Sequence, residues 1–183
     1  MANSLLNDPE ILRELIMDHY QYPHNHKLTE DESYASVHMA SDSCIDDITV
    51  QSKIRDGVIE DIRFDGVACT ISTASTSMMT DLLKGKKVEE AKDIIGNYFG
   101  MIDAKEYDPD VLEEAVAFKN VYRQANRIKC ATSGWKAISQ MIEESEKDAC
   151  AKPIKTTKRS TPRMITNTAS MMTSSPSSIP AKA

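Results

Sequence analysis

Of the chain's four cysteines, Cys44, Cys69 and Cys130 stand in settings where a thiol can do chemistry. Gaps of 25 and 61 residues separate these three, so no CxxC pair exists and spacing alone gives no zinc-finger or thioredoxin pattern. A free cysteine is most often a small buried hydrophobe. The surroundings argue for more than that. Cys44 lies in Ser41-Asp42-Ser43-Cys44-Ile45-Asp46-Asp47, a polar turn leading into a strand and a poor place to hide an apolar thiol. Cys69 falls between a strand ending near Phe64 and a helix starting near Ile71, and Cys130 falls at the start of the last expected helix, just after Arg127 and Lys129. Helix N-termini and basic neighbours stabilise the thiolate, which is both the nucleophile and the metal ligand. Asp46, two residues after Cys44, adds an oxygen ligand. Three thiolates and one carboxylate make a tetrahedral set for Zn²⁺, or for iron in a cluster. Cys150 sits at the edge of a polar tail and needs no role.

Local patterns predict the elements that must bring these residues together. Asp8-Pro9-Glu10 is a helix start, with Asp8 as N-cap; Ile11, Leu12, Leu15, Ile16 and His19 share one face, and the helix ends before Pro23. Between Ser33 and Phe64 the period changes to two, through Ala35/Val37/Met39, Ile48/Val50 and the mixed-phase run Val58/Glu60/Ile62/Phe64. Asp56-Gly57 between the last two runs is a hairpin turn, giving three antiparallel strands. From Ile71 onward the pattern is helical, over roughly 71–83, 88–100, 108–118 and 131–146, with Trp135, Ile138, Met141 and Ile142 as the buried stripe of the last. Met78 and Met79 are expected in the core. Strands grouped first and helices afterwards indicate an α+β domain: a three-stranded antiparallel sheet packed against about five helices.

Composition bounds the partners. The net charge of −6 over 183 residues conceals a tail of six basic residues from Lys152 onward with no acid, leaving −12 on residues 1–151. An acidic body argues against nucleic acid, which needs a basic footprint. No stretch approaches the ~18 consecutive apolar residues of a membrane span, and the N-terminus lacks the basic-then-apolar layout of a secretory signal, so a cytoplasmic location is expected. Residues 1–150 read as the folded domain and 151–183 as a basic, Ser/Thr/Pro-rich disordered tail, too poor in apolar residues to offset its ordering entropy.

The motifs carry a family resemblance. Ile11-Leu12-Arg13-Glu14-Leu15-Ile16-Met17-Asp18-His19-Tyr20, followed by Pro23 and Asn25, resembles the opening helix of the iron–sulfur cluster assembly proteins of the IscU, SufU and NifU N-terminal family. Phe64-Asp65-Gly66-Val67-Ala68-Cys69 with the Ser/Thr/Met-rich run after it resembles that family's second cysteine motif, and Arg127-Ile128-Lys129-Cys130-Ala131 its third. Lys129, where IscU-type proteins carry His, and the extra capped segment at Asp108–Asn126 resemble the SufU branch. The resemblance implies a zinc-dependent sulfurtransferase that accepts persulfide sulfur from a SufS-like cysteine desulfurase and passes it to downstream iron–sulfur assembly or acceptor proteins. It implies Cys44, Asp46, Cys69 and Cys130 as zinc ligands, Cys44 as sulfur acceptor, and Arg127 as a neighbouring cation that stabilises negative charge. Two alternatives stay open: a scaffold binding a [2Fe–2S] cluster through Cys44, Cys69 and Cys130, and a degenerate member that docks on the desulfurase without chemistry.

One departure bears on the site. The family's first motif reads Cys-Gly-Asp, and here Ile45 stands in the glycine's place. If that position needs φ > 0, a β-branched residue there is strained by about 1–3 kcal/mol. His19, His24, His26 and His38 match no metal position implied by the resemblance, and surface or helix-facing roles are expected for them.

Overall fold

A computed structural model describes residues 8–41 and 44–151. The expectations for the tail beyond Ala151 and for the Cys150 side chain lie outside those residues. In chain order the elements are α1 (Pro9–Gln21), β1 (Ala35–Ala40), β2 (Asp47–Arg55), β3 (Val58–Val67), α2 (Thr70–Leu83), α3 (Val88–Ile102), α4 (Pro109–Leu112) and α5 (Ala125–Ala151). Short 3-10 segments at Glu113–Phe118 and Val121–Arg123 join the last two helices. The α+β class, the antiparallel sheet and the five helices agree with the sequence reading.

The sheet has the order β1-β2-β3. Asp56 (φ 51°) and Gly57 (φ 74°) both take left-handed backbone, the requirement of a type I′ hairpin turn. A register shift between Lys53 and Ile54 inserts a bulge beside that turn, and Ile59 rather than Val58 becomes fully buried. The bulge accounts for the mixed phase of the β3 sequence. At the other end Ala40 pairs with Asp47 and Asp47 with Val67, so all three strands finish together. Gly66 makes that closure possible. Its φ is +133°, and a Cβ there would stand 2.2 Å from the Asp47 carbonyl oxygen. The loop entering β2 and the start of α2 therefore meet at one edge of the sheet.

α2 runs through the centre, buried over Ser72–Thr80 on all sides, and its composition follows from that position. Small Ser, Thr and Ala side chains let α1 and α5 approach closely, and several of their hydroxyls find partners inside the fold, while Ser72 Oγ is buried without one. Thr76 Oγ1 donates to the Ser72 carbonyl (2.8 Å) and Thr80 Oγ1 to that of Ser77 (2.7 Å). Ser75 Oγ donates to the Ala131 carbonyl (2.7 Å) and accepts from Trp135 Nε1 (3.0 Å). Tyr98 stacks on Trp135 with ring centroids 3.9 Å apart, and its hydroxyl reaches the Ala131 carbonyl at 3.0 Å. This network ties α2, α3 and α5 together beside Cys130. Trp135, Ile138, Met141, Ile142, Met78 and Met79 are all buried, as their pattern predicts.

Two helix boundaries differ from the sequence expectation. The segment expected as one helix over 108–118 is a single α-helical turn capped by Asp108, followed by 3-10 backbone. Glu113 separates the two with φ 46°. The last helix begins at Ala125 instead of near residue 131, which moves Cys130 from a helix start into its second turn.

Candidate metal centre

The four candidate ligands arrive on three pieces of the fold. Cys44 and Asp46 lie in the connection between β1 and β2, closed by a bond from the Ser41 N–H to the Asp46 carbonyl (2.9 Å). Cys69 is the N-cap residue of α2, immediately after β3. Cys130 comes from α5, which packs against α2. One ligand atom from each of the four lies within 4.8 Å of the others. In a tetrahedral zinc site with bonds of about 2.3 Å the sulfurs stand about 3.8 Å apart. The pocket therefore needs only a small contraction to close around an ion.

Asp46 organises the group. It is 3% exposed, and its Oδ1 accepts the Cys69 backbone N–H at 2.8 Å and the Cys44 thiol at 3.5 Å. Its Oδ2 is buried without a hydrogen-bond partner. A buried carboxylate oxygen left unpartnered costs about 1–3 kcal/mol or more. Together with three converging sulfurs, that orphan oxygen fits a bound cation. Burial raises the Asp46 pKa, but the Cys69 N–H and the thiols of Cys130, Cys69 and Cys44 outweigh it, leaving the carboxyl below its usual range.

The thiols behave differently from the sequence expectation. Burial pushes the Cys69 and Cys130 thiols up, and the Asp46 carboxylate adds to the rise in both. The Ser72 backbone N–H, at the head of α2, opposes the rise at Cys69 without cancelling it. For Cys130 the reason is also positional: 2% exposed and in the second turn of α5, it is past the helix end that would favour a thiolate. The pocket without a cation thus favours thiols, and a cation entering it displaces their protons.

Ile45 carries no left-handed strain, since it is absent from the non-glycine residues with positive φ. Its side chain is 66% exposed, and Val67 across the sheet edge is 67% exposed. An apolar rim therefore borders the cysteines. Arg127 is exposed on α5 three residues before Cys130, a spacing that puts the two on neighbouring positions of the helix surface.

The model of the NifU-like N-terminal domain family matches residues 11–150. The chain belongs to this family. It is 37% identical over 137 residues to the zinc-dependent sulfurtransferase SufU of Bacillus subtilis, covering 74% of this chain and 92% of that protein. It is 36% identical over 146 residues to the iron–sulfur cluster assembly scaffold protein IscU of Streptococcus pyogenes serotype M1, covering 79% and 89%. A solved structure from Fervidobacterium islandicum AW-1, provisionally assigned as an iron–sulfur cluster assembly scaffold of the SUF system, superposes with a TM-score of 0.64 at 30% identity, over 69% of this chain and 93% of that one. Among the described residues no helix is long and apolar enough to cross a membrane.

One further grouping has no signal in the sequence pattern. A ring nitrogen from each of His19 and His24 and a carboxylate oxygen of Asp81 lie within 4.8 Å of one another, near the opposite end of α2 from Cys69. The histidines were legible as residues, but nothing in the spacing linked them to Asp81.

Proposed function

We propose that this protein is a zinc-dependent sulfurtransferase of iron–sulfur cluster assembly, accepting persulfide sulfur from a cysteine desulfurase. The observation that carries the reading is the convergence of three cysteine sulfurs on Asp46, whose second oxygen is buried and unpartnered. Cys44, Asp46, Cys69 and Cys130 would hold the zinc, and a bound zinc supplies the charge that keeps their sulfurs as thiolates. The SufU relative and the Lys129-Cys130 pair support zinc over iron.

The division of labour follows from position. Cys130 is buried on α5 and Cys69 is fixed at the head of α2, so both are suited to holding. Cys44 is partly exposed on a loop beside the apolar rim of Ile45 and Val67, and is suited to reacting. Its thiolate attacks the outer sulfur of the donor persulfide. A new Sγ–S bond forms at Cys44, the donor's S–S bond breaks, and the donor cysteine leaves as a thiolate. The Arg127 guanidinium stabilises the negative charge carried between the two sulfurs. The rim gives the desulfurase a dry surface around the exchange.

Desulfurase turnover with and without the protein tests this. Stimulation by wild type and its loss in Cys44→Ser is the expected result, and a Cys44→Ser variant that stimulates fully removes the relay. The IscU relative keeps a second reading in view, a [2Fe–2S] scaffold using the same cysteines. Anaerobic reconstitution with iron and sulfide separates the two. A visible chromophore that transfers to an apoprotein favours the scaffold, and zinc that iron does not displace favours the sulfurtransferase.

A further inference from the structure

We infer that the protein has a second divalent-cation site, made by His19, His24 and Asp81 and oriented by Glu114. It lies outside the sulfur pocket, because the 12 residues of α2 from Cys69 to Asp81 span about 18 Å. Two imidazole nitrogens and a carboxylate suit borderline first-row ions such as Zn²⁺, Co²⁺ or Fe²⁺, with open positions left for water.

The hydrogen bonds decide which nitrogen an ion would take. His19 is 3% exposed, and its Nε2 stands 3.0 Å from Glu114 Oε2. A carboxylate only accepts, so Nε2 carries a proton, and in the neutral imidazole Nδ1 is the acceptor that an ion would take over from the Ser77 hydroxyl. That is the arrangement of a metal-binding histidine whose far nitrogen is anchored on an acid. Nδ1 is held at 2.8 Å by Ser77 Oγ, which itself accepts the His24 backbone N–H at 2.8 Å. The two imidazole centroids are 4.7 Å apart. His24 Nδ1 bonds directly to Asp81 Oδ2, a contact in which a cation can take the proton's place.

The support around the cluster is built before any ion arrives. Asp81 Oδ1 accepts from Asn25 Nδ2 at 3.0 Å, and the Asn25 carbonyl accepts the Phe64 N–H at 3.1 Å, pinning the His24-Asn25 turn to α2 and the sheet at once. Asn25 holds that turn at φ 52°, a conformation asparagine tolerates. A cavity of about 90 Å³, lined by Asp81 and Glu114 with Met78, Leu82 and Leu112, adjoins the cluster on its Asp81 and Glu114 side. His24 and Asp81 are about half exposed, so the ion has a path in.

Cobalt titration of the full chain under anaerobic conditions tests the site. Thiolate-to-cobalt charge transfer reports the sulfur pocket, and equilibrium dialysis reports total binding. The expected total is two Co²⁺ per chain, only one of them with charge transfer. His24→Ala and Asp81→Asn should each weaken the second equivalent about ten-fold or more and leave the charge-transfer band unchanged. Cys130→Ser should do the reverse. A total of one in wild type overturns the site, as does a second equivalent that survives both variants. Thermal melts of the two variants guard against misfolding. If they lower the melting temperature without lowering bound cobalt, the cluster is only a hydrogen-bonded staple and the inference fails.

Discussion

At the N-terminal end of α2, Asp46 Oδ2 is buried without a hydrogen-bond partner and the Cys130 thiol reaches the Asn126 carbonyl only at 3.8 Å, whereas at the other end His19, His24, Asn25, Ser77 and Asp81 are all hydrogen-bonded to one another. The difference is one of residue chemistry. Sulfur makes weak hydrogen bonds, so a pocket of buried cysteines around one acid cannot satisfy itself. Imidazole, amide and carboxylate groups can. On the proposed zinc site, an ion would complete the bonding of the sulfur pocket, and its binding would add directly to folding stability. The histidine cluster keeps its shape on its own, and an ion there must first displace existing hydrogen bonds. Binding at that end should be the weaker of the two.

The largest expected effect is at the sulfur pocket. If Cys130 is a zinc ligand as proposed, Cys130→Ser removes a buried sulfur that no neighbour can replace, and zinc affinity should fall by about 100-fold or more. Metal content after gel filtration, compared with wild type, reads this directly. Retention of a full equivalent would end the contrast between the two ends, because it would mean that the pocket can satisfy a cation without one of its sulfurs. Between the ends, Ser75→Ala strips Trp135 Nε1 of its acceptor and Ala131 of a donor. That should cost about 2–3 kcal/mol in urea unfolding, with zinc stoichiometry unchanged. A loss of zinc in that variant would show that the core network, not the loop, sets the position of Cys130.

The fold was largely legible because its signals are local. Asp8-Pro9 marks the start of α1, Asp56-Gly57 marks a hairpin, and the Trp135–Ile142 stripe marks a buried helix face. The site was legible as residue types, since Cys44 and Cys69 sit visibly in loops and beside a helix start. What sequence could not supply was the depth of Cys130. Asn126-Arg127-Ile128-Lys129 is polar enough to look like a loop, yet it is the first turns of α5, and that placement reverses the direction of the thiol's shift. The His19–Asp81 contact was illegible for a different reason. It joins residues more than 60 positions apart in sequence through the packing of α1 on α2, which no local period reports.

The histidine end has its own charge anchor, and it titrates. Lys84, at the C-cap of α2, meets Asp61 Oδ1 at 2.6 Å, while Arg63 Nε and the Tyr34 hydroxyl meet Oδ2 at 2.6 and 2.7 Å. Burial raises the Asp61 pKa, but these three partners outweigh it and hold the carboxyl at about 2. The folded value lies below the unfolded one of about 3.9, so the stabilisation is fully present above pH 4 and is lost as pH falls through 2. Asp61→Asn should therefore cost about 2 kcal/mol at pH 7, and the difference from wild type should shrink toward pH 2. Unfolding curves at a series of pH values check the sign. A cost that did not vary with pH would assign the loss to packing rather than to charge.

The smallest effect belongs to Ile45, and it sharpens what the sulfur pocket requires of its loop. The family's glycine at this position suggested that the backbone needs φ > 0, in which case Ile45→Gly would relieve strain and stabilise the protein by about 1–3 kcal/mol. The structure places Ile45 outside the left-handed region with its side chain in solvent. Glycine then removes no clash and adds only freedom to the unfolded chain, so Ile45→Gly should destabilise slightly, by about 0.4–1 kcal/mol. Urea midpoints of the metal-free proteins separate the two signs. A gain in stability would mean that the loop between β1 and β2 carries the strain after all, and that the Cys44–Asp46 geometry is held under tension. The expected small loss means instead that the loop reaches the same ligand geometry by a backbone any residue can adopt, leaving the exposed isoleucine free to serve the apolar rim around Cys44.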